Sequence, residues 1–256
     1  MDNKCRIGID VGGTFTDIVA VSDTGTVTFS KAASTPNDPS IGVMNAVERL
    51  ADELGINSET LLSKTESIVH GTTVATNALL ERKGAKTGLL TTLGHRDVLE
   101  MREGLKDDRY NMRLPAPAPL VPRFLRLGVR ERIKPDGSIH TKLDDTSLDE
   151  AINKLREEKV TSVAVCYLHA YKEPKHEQET KQILEAKLPG VSVSISSEVF
   201  PEIKEYERVS TTIVNAYVRP IVENYLNRLE ERLKNAGYKG SVLIILSHGG
   251  VAPIEE

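Results

Sequence analysis

Tryptophan is absent from these 256 residues and aromatic side chains make up only 4% of them, so flat platforms for stacking bases or sugar rings are scarce. Cysteine is nearly missing too. Cys5 and Cys166 each sit in a strand-like run without metal-ligand spacing, and read as buried thiols rather than as a disulfide or a zinc site. No run approaches the roughly 18–20 apolar residues of a membrane span. The amino-terminal residues pass straight into a strand pattern, with no apolar leader or cleavage site, so a cytoplasmic protein with no membrane partner is expected. Basic excess is lacking as well: the formal net charge of −4 argues against nucleic acid as a partner. At 27% charged and 39% apolar, the composition is that of a globular chain able to form one large domain or two smaller ones.

The densest stretch is Arg6-Ile7-Gly8-Ile9-Asp10-Val11-Gly12-Gly13-Thr14-Phe15-Thr16-Asp17-Ile18-Val19-Ala20-Val21. Branched apolar residues lead into Asp10; two glycines and two threonines follow, then a second β-branched run. The pattern predicts a strand, a tight turn and an antiparallel return. Gly12 and Gly13 permit backbone angles closed to other residues and let N–H groups approach an anion, while Thr14 and Thr16 add hydroxyl donors. Asp10, at the end of the first strand, suits magnesium, which prefers oxygen ligands and keeps several waters. An ordinary glycine hairpin with an Asx turn is the competing interpretation. A Gly-x-x-x-x-Gly-Lys-Ser/Thr loop is missing and a strand follows Gly13, so neither a Walker loop nor a dinucleotide fingerprint fits.

Along the chain, a third strand is expected over Thr26 to Lys31. Asn37-Asp38-Pro39 should cap a helix running to about Leu54, and a strand should follow over Glu66 to His70. Next comes His70-Gly71-Thr72-Thr73-Val74-Ala75-Thr76-Asn77, where a strand should end at His70 and a helix begin at the threonines. Free N–H groups at such a start can seat a carboxylate, carbonyl or phosphate; threonines that merely cap the helix are the alternative. Residues 105–126 are proline-rich and basic, an extended crossing segment and a candidate subunit contact. An α/β unit should follow, with a strand over Leu127 to Ile133, a helix over Ser147 to Glu158 with Ser147 and Glu150 as capping box, a strand over Ser162 to Leu168, a helix from Pro174 to Leu188 and a strand over Val191 to Ile195. His169 and the His176-Glu177 pair lack the i, i+4 spacing of helical zinc ligands and read as strand-end and helix-cap groups. A long helix from Glu205 to Gly237, kinked at Pro220, precedes a strand over Ser241 to Leu246 and the turn Ser247-His248-Gly249-Gly250. Backbone donors of that turn, Ser247, Gly249 and Gly250 included, either reach a nucleotide or merely connect to a further domain.

Asp-x-Gly-Gly-Thr-x-Thr-Asp resembles the first phosphate loop of the actin, hexokinase and heat-shock chaperone superfamily. With residues 70–85, 87–100 (Thr-Gly-Leu-Leu-Thr-Thr-Leu-Gly-His-Arg-Asp-Val-Leu-Glu), 110–132, 166–177 and 205–217, the chain is similar to the hydantoinase A/5-oxoprolinase family over nearly its whole length. His95 and His248 depart from the family's usual Gly-Phe-Arg-Asp and Ser-Asn-Gly-Gly. The resemblance implies an α/β fold: a ribonuclease-H-like lobe of the actin/hexokinase-type ATPase over residues 1–90, an inserted α/β subdomain over 91–200, and a helix and strand returning to the core over 201–256, with the second ATPase lobe absent. It implies an ATP- and Mg2+-dependent hydrolase of a cyclic amide (hydantoin, 5-oxoproline or a lactam), or a related carboxylase, that phosphorylates a small-molecule substrate's oxygen. On that basis Asp10, Asp17 and His70 are expected to be catalytic, with Asp10 also the metal ligand. Gly12, Gly13, Thr14, Thr16, Ser247, Gly249 and Gly250 are expected at the nucleotide, and Thr72, Thr73, Thr76, Asn77, Glu205 and Arg208 at the substrate. An oligomer completed by a partner subunit or a C-terminal lobe is expected, this segment alone being inactive. Rival readings are a kinase of the hexokinase or acetate kinase type and a non-enzymatic actin-like nucleotide-binding module.

Overall fold

The computed structural model describes residues 4–104, 108, 110–115 and 117–254. The chain begins with strands β1 (Cys5–Val11), β2 (Phe15–Ser22) and β3 (Val27–Ala33), helices α1 (Pro39–Glu53) and α2 (Ser58–Ser63), strand β4 (Thr65–Thr72) and helix α3 (Val74–Leu80). It continues with β5 (Thr87–Thr92), α4 (Val98–Met101), β6 (Arg126–Val129), β7 (Arg132–Ile133), β8 (Ile139–Thr141), α5 (Asp145–Glu157), β9 (Ser162–Cys166), α6 (Lys175–Lys187), β10 (Ser192–Ile195) and α7 (Ser196–Val199). Helix α8 (Glu205–Asn235) and strands β11 (Val242–Ile245) and β12 (Val251–Pro253) follow. Two compact units result: residues up to Glu81 with those from Ile221 onward, and Arg82–Pro220. Both are mixed α/β. Among the described residues no helix is long and apolar enough to cross a membrane.

The first unit is a six-stranded sheet in the order β12-β11-β4-β1-β2-β3. β1, β2 and β3 form an antiparallel meander, β4 runs parallel to β1, and β11 runs parallel to β4. Period-two alternation sends Cys5, Ile7, Ile9 and Val11 into the core and leaves Arg6 and Asp10 on the other face. Val43, Ala46, Val47 and Leu50, at helical spacing on α1, pack into the same core with Tyr225, Leu229 and Leu233 of α8. Asp38 caps α1 by accepting from Ser40 N, Pro39 is its first residue, and Arg232 ties this start to α8 through Ser40 Oγ (2.9 Å) and Asp38 Oδ2 (3.1 Å). The buried Tyr238 hydroxyl donates to Ser241 O at 2.9 Å and accepts from Ile68 N at 3.1 Å, bridging β4 and the approach to β11.

The second unit is an all-parallel sheet in the order β10-β9-β5-β6, beside the two-stranded antiparallel β7-β8. β5 and β9 are buried along their whole length, as strands covered on both faces must be.

Several elements differ from expectation. β4 runs on to Thr72 instead of ending at His70, because its ladder with β1 continues to Val11↔Thr72. The single strand expected over Leu127 to Ile133 is two strands in different sheets. Between them Glu131 turns inward, accepting from Thr92 Oγ1 and pairing with His176 Nδ1 at 2.8 Å. Helix α5 starts at Asp145, not Ser147. Asp144 is its cap, accepting from Ser147 N at 2.8 Å, so Ser147 and Glu150 form no capping box. Of the proline-rich stretch, residues 105–107, 109 and 116 lie outside the described residues.

Candidate functional site

The glycine turn joins β1 to β2 with Asp10 paired to Asp17 and Val11 to Thr16. Gly12 N bonds Phe15 O at 3.0 Å, closing the hairpin, and Gly13 and Thr14 are exposed at its tip. A methyl group on Gly12 would lie 3.2 Å from Phe15 O, so the glycine keeps the turn tight. Thr16 does not reach the tip. It is fully buried, its hydroxyl 3.2 Å from Ser34 Oγ, and Ser34 in turn donates to Gly12 O at 2.8 Å, so Thr16 braces the turn from beneath.

β1, β4 and β11 are parallel, so the connections leaving their carboxyl ends emerge at one end of this sheet. There the hairpin meets residues 71–77. Thr73 N approaches Val11 O at 3.4 Å, Asn77 Nδ2 donates to Thr73 Oγ1 at 3.2 Å, and a methyl on Gly13 would lie 3.8 Å from Asn77 Nδ2. Thr72 accepts from Val74 N, and Thr76 is exposed on α3. Thr73 occupies the cap position of this seven-residue helix but makes no side-chain capping bond. The third connection is also a hairpin: β11 returns as β12 through Ser247-His248-Gly249-Gly250, with Gly249 at φ 91°. Ser247 is exposed, Gly249 N donates to Leu246 O, and Leu246 N to Gly250 O.

Asp10 and Asp17 are directly opposite on the open face of the sheet, an arrangement of like charges that is destabilising unless something cationic lies between or beside them. Lys31 meets Asp17 at 2.9 Å; Asp10 has no such partner among the described residues. The Asp10 carboxylate lies over Gly71, 3.5 Å from where a Cβ would stand, and lines a cleft of about 920 Å3 with Gly8, Val19, Phe29 and Lys31. Its donors are hard oxygens. Among the described residues no three His, Cys, Asp or Glu converge as a metal cage, so an ion here would be held by carboxylate and waters, the habit of magnesium.

His70 is elsewhere than expected. It projects from β4 into the core, fully buried, with Nε2 2.8 Å from Tyr225 Oη. Burial holds its pKa down at about 4, despite the nearby Ile9 carbonyl, so the ring is neutral. Burial also raises the Tyr225 hydroxyl. The side chain is sealed on the core face, on the opposite side of the sheet from Asp10. Glu205 and Arg208 belong to the second unit. There Arg208 is buried, donates from Nη2 to Tyr167 O at 2.9 Å and lies 5.4 Å from the Tyr171 ring.

Sequence reasoning also missed the buried acids of the second unit. Glu177 accepts from Tyr167 N (2.8 Å), Ser196 Oγ (2.6 Å) and Ser197 N (2.8 Å); burial raises its pKa and these bonds oppose the rise. Its signal was weak: an acid in the first turn of α6, ten residues from one partner and about twenty from the others.

Residues 6–188 match the family model for the hydantoinase/oxoprolinase N-terminal region, and residues 208–256 match that for hydantoinase/oxoprolinase. The chain is 41% identical over 250 residues to caprolactamase subunit alpha of Pseudomonas jessenii, covering 97% of this chain and 36% of that protein. It is 37% identical over 261 residues to the acetophenone carboxylase gamma subunit of Aromatoleum aromaticum, again covering 97% and 36%. Among solved structures, the ATP-dependent caprolactamase of Pseudomonas jessenii superposes with a TM-score of 0.90 at 41% identity, covering 97% of this chain and 36% of that one. Nucleotide-free acetone carboxylase superposes with a TM-score of 0.90 at 27% identity, covering 99% and 38%. The chain thus spans about a third of the length of the relatives it matches.

Proposed function

The chain belongs to the hydantoinase/oxoprolinase family, and from that premise we propose that it forms the phosphate-gripping part of an ATP-dependent enzyme acting on a cyclic amide, or on a ketone as the carboxylases do. The first unit is read as a ribonuclease-H-like lobe of the actin/hexokinase type, with residues 91–200 an insertion in it. The antiparallel meander, the helix after it and the parallel β4 and β11 support this reading. The observation that carries the function is the Asp10/Asp17 pair beside an exposed glycine turn and against Thr73 and Asn77.

Bound MgATP would supply a phosphoryl group that converts a poor amide or carbonyl oxygen into a good leaving group. The chain's own residues position and neutralise charge. Backbone N–H groups of Gly13 and Thr14, with the Thr14 hydroxyl, would face the phosphates while Gly12 keeps the turn closed on Phe15 O, and Asp10 would hold magnesium through water. Asp17, fixed by Lys31, would keep the hairpin shaped, and Thr16 would support it from below. Ser247, Gly249 and Gly250 form a second turn at the same end of the sheet, in which the glycine N–H groups close the bend and the exposed Ser247 is the donor left for a nucleotide. Thr72, Thr73, Thr76 and Asn77 would wall the substrate side. A C-terminal lobe or partner subunit closing over the nucleotide is part of the proposal.

The test is phosphate release by the complete enzyme with 5-oxoproline, hydantoin, lactam and ketone-plus-bicarbonate panels, with and without Asp10→Ala. Substrate-stimulated release that falls by on the order of 100-fold in the variant is expected. Near-normal turnover by the variant removes the role of Asp10. ATP binding with no stimulation by any substrate favours a nucleotide switch instead.

A further inference from the structure

In the second unit β5 connects to β6 on one side, while β9, on the other side of β5, connects outward to β10. Adjacent parallel strands whose connections diverge leave a crevice beyond their carboxyl ends, the usual ligand position in open α/β sheets. A cavity of about 430 Å3 lies there, formed by the loop after β5, the turn after β9, Arg132 and Glu205.

Its lining is chemically specific. Arg132 Nη1 is 3.0 Å from His95 Nε2, and Arg132 makes no ion pair among the described residues. Asp97 is already engaged by Arg123 Nε and Nη2 at 3.1 and 3.2 Å, so Glu205 is the uncommitted acid of the wall among the described residues. Burial, then Arg132, lowers the His95 pKa, which keeps the ring an acceptor for the guanidinium and leaves the arginine's fork for another group. His169 has Nδ1 3.4 Å from Tyr171 Oη. Of the four non-glycine residues at positive φ among those described, Arg102 (53°) and His169 (58°) both line this cavity. Positive φ costs such residues on the order of 1–3 kcal/mol each, a strain that concentrates at ligand sites. Val98 and Met101 add an apolar wall.

We propose that this crevice binds a short aliphatic carboxylate carrying a hydrogen-bond donor at its far end, with the carboxylate on the Arg132 fork, the chain over Val98 and Met101, and the donor on Glu205. A planar carboxylate matches a guanidinium with two parallel bonds, which an ammonium cannot offer. The site goes beyond the nucleotide reading and does not rest on it: all its residues belong to the second unit, and the test uses no nucleotide.

The 256-residue chain is titrated calorimetrically with 4-aminobutyrate, butyrate and propylamine, while imidazole resonances of His95 and His169, assigned with His95→Gln and His169→Gln, are followed by NMR. Saturable 1:1 binding of 4-aminobutyrate that shifts both rings is expected, with butyrate at least about tenfold weaker and propylamine not binding. Arg132→Gln should abolish carboxylate binding, and Glu205→Gln should reduce 4-aminobutyrate to the affinity of butyrate. Should Arg132→Gln not fold, as judged by circular dichroism, Arg132→Lys should still weaken binding about tenfold by losing the fork. The proposal is overturned if the unaltered chain shows no saturable binding, if either arginine variant that folds binds undiminished, or if inorganic phosphate displaces 4-aminobutyrate at lower concentration than butyrate does.

Discussion

The two units put carboxylates beyond or near the ends of their strands for opposite purposes. In the first, Asp10 and Asp17 face one another in the open, and Lys31 pairs with Asp17. In the second, Glu131 and Glu177 are almost wholly enclosed, and their oxygens are taken up by Thr92, His176, Tyr167, Ser196 and Ser197. An enclosed acid is tolerated only with its acceptor capacity filled, so it fixes the loops that supply its donors. An open pair of like charges fixes nothing by itself and gains from a cation. The difference separates acids whose oxygens are filled by the fold from acids left open on a sheet face.

The sharpest way to break that distinction is Glu177→Ala. Two backbone N–H groups and a serine hydroxyl would lose their acceptor, and a loss of roughly 4 kcal/mol in urea unfolding is expected. A loss below about 1 kcal/mol would mean the enclosed acid is not structural. Next comes a buried base. Because His70 has its folded pKa depressed to about 4 from 6.5, the unfolded chain binds more protons between those values, and stability falls as pH drops through that window. The full effect is about 3 kcal/mol at most, and His70→Gln should remove that part of the slope in melts recorded from pH 7 to 4. Thr92→Val should cost about 1–2 kcal/mol, since Glu131 loses a donor and Leu168 N its acceptor at 3.0 Å. On the open side the same measurements should barely move. Asp10→Asn is expected within about 0.5 kcal/mol of the unaltered chain or slightly above it, while magnesium-dependent nucleotide binding is lost. Lys31→Met, which removes a half-exposed ion pair, should cost less than about 1 kcal/mol.

The range of the forces involved decided how much could be read in advance. Period-two alternation in β1 and β2, the Asp38-Pro39 start of α1 and the glycine turn are local, and they lay in the sequence much as they lie in the fold. The start of α5 was misplaced because two capping schemes compete within three residues, and Asp144 wins by reaching Ser147 N. His70 could not be placed. Its neighbours suggested a strand end, yet the continuing β1 ladder and a tyrosine 155 residues away set its face and its partner. The Glu131–His176 pair spans 45 residues and obeys no periodicity. Position at the open end of the first sheet was legible for Asp10, Gly12, Gly13 and Thr14; the burial of Thr16 required Ser34 to be seen beside it.

The phenol of Tyr238 has an influence at a distance. By clasping Ile68 N and Ser241 O it sets the alignment of a four-residue strand at its entry. Were β11 to slip by one position, Ile244 would swap faces and the Ser247-to-Gly250 bend would travel about 3.3 Å along the strand direction. The placement of the bend after β11 is therefore calibrated by a hydroxyl at the strand's other end, and Tyr238→Phe would shift a turn it never touches.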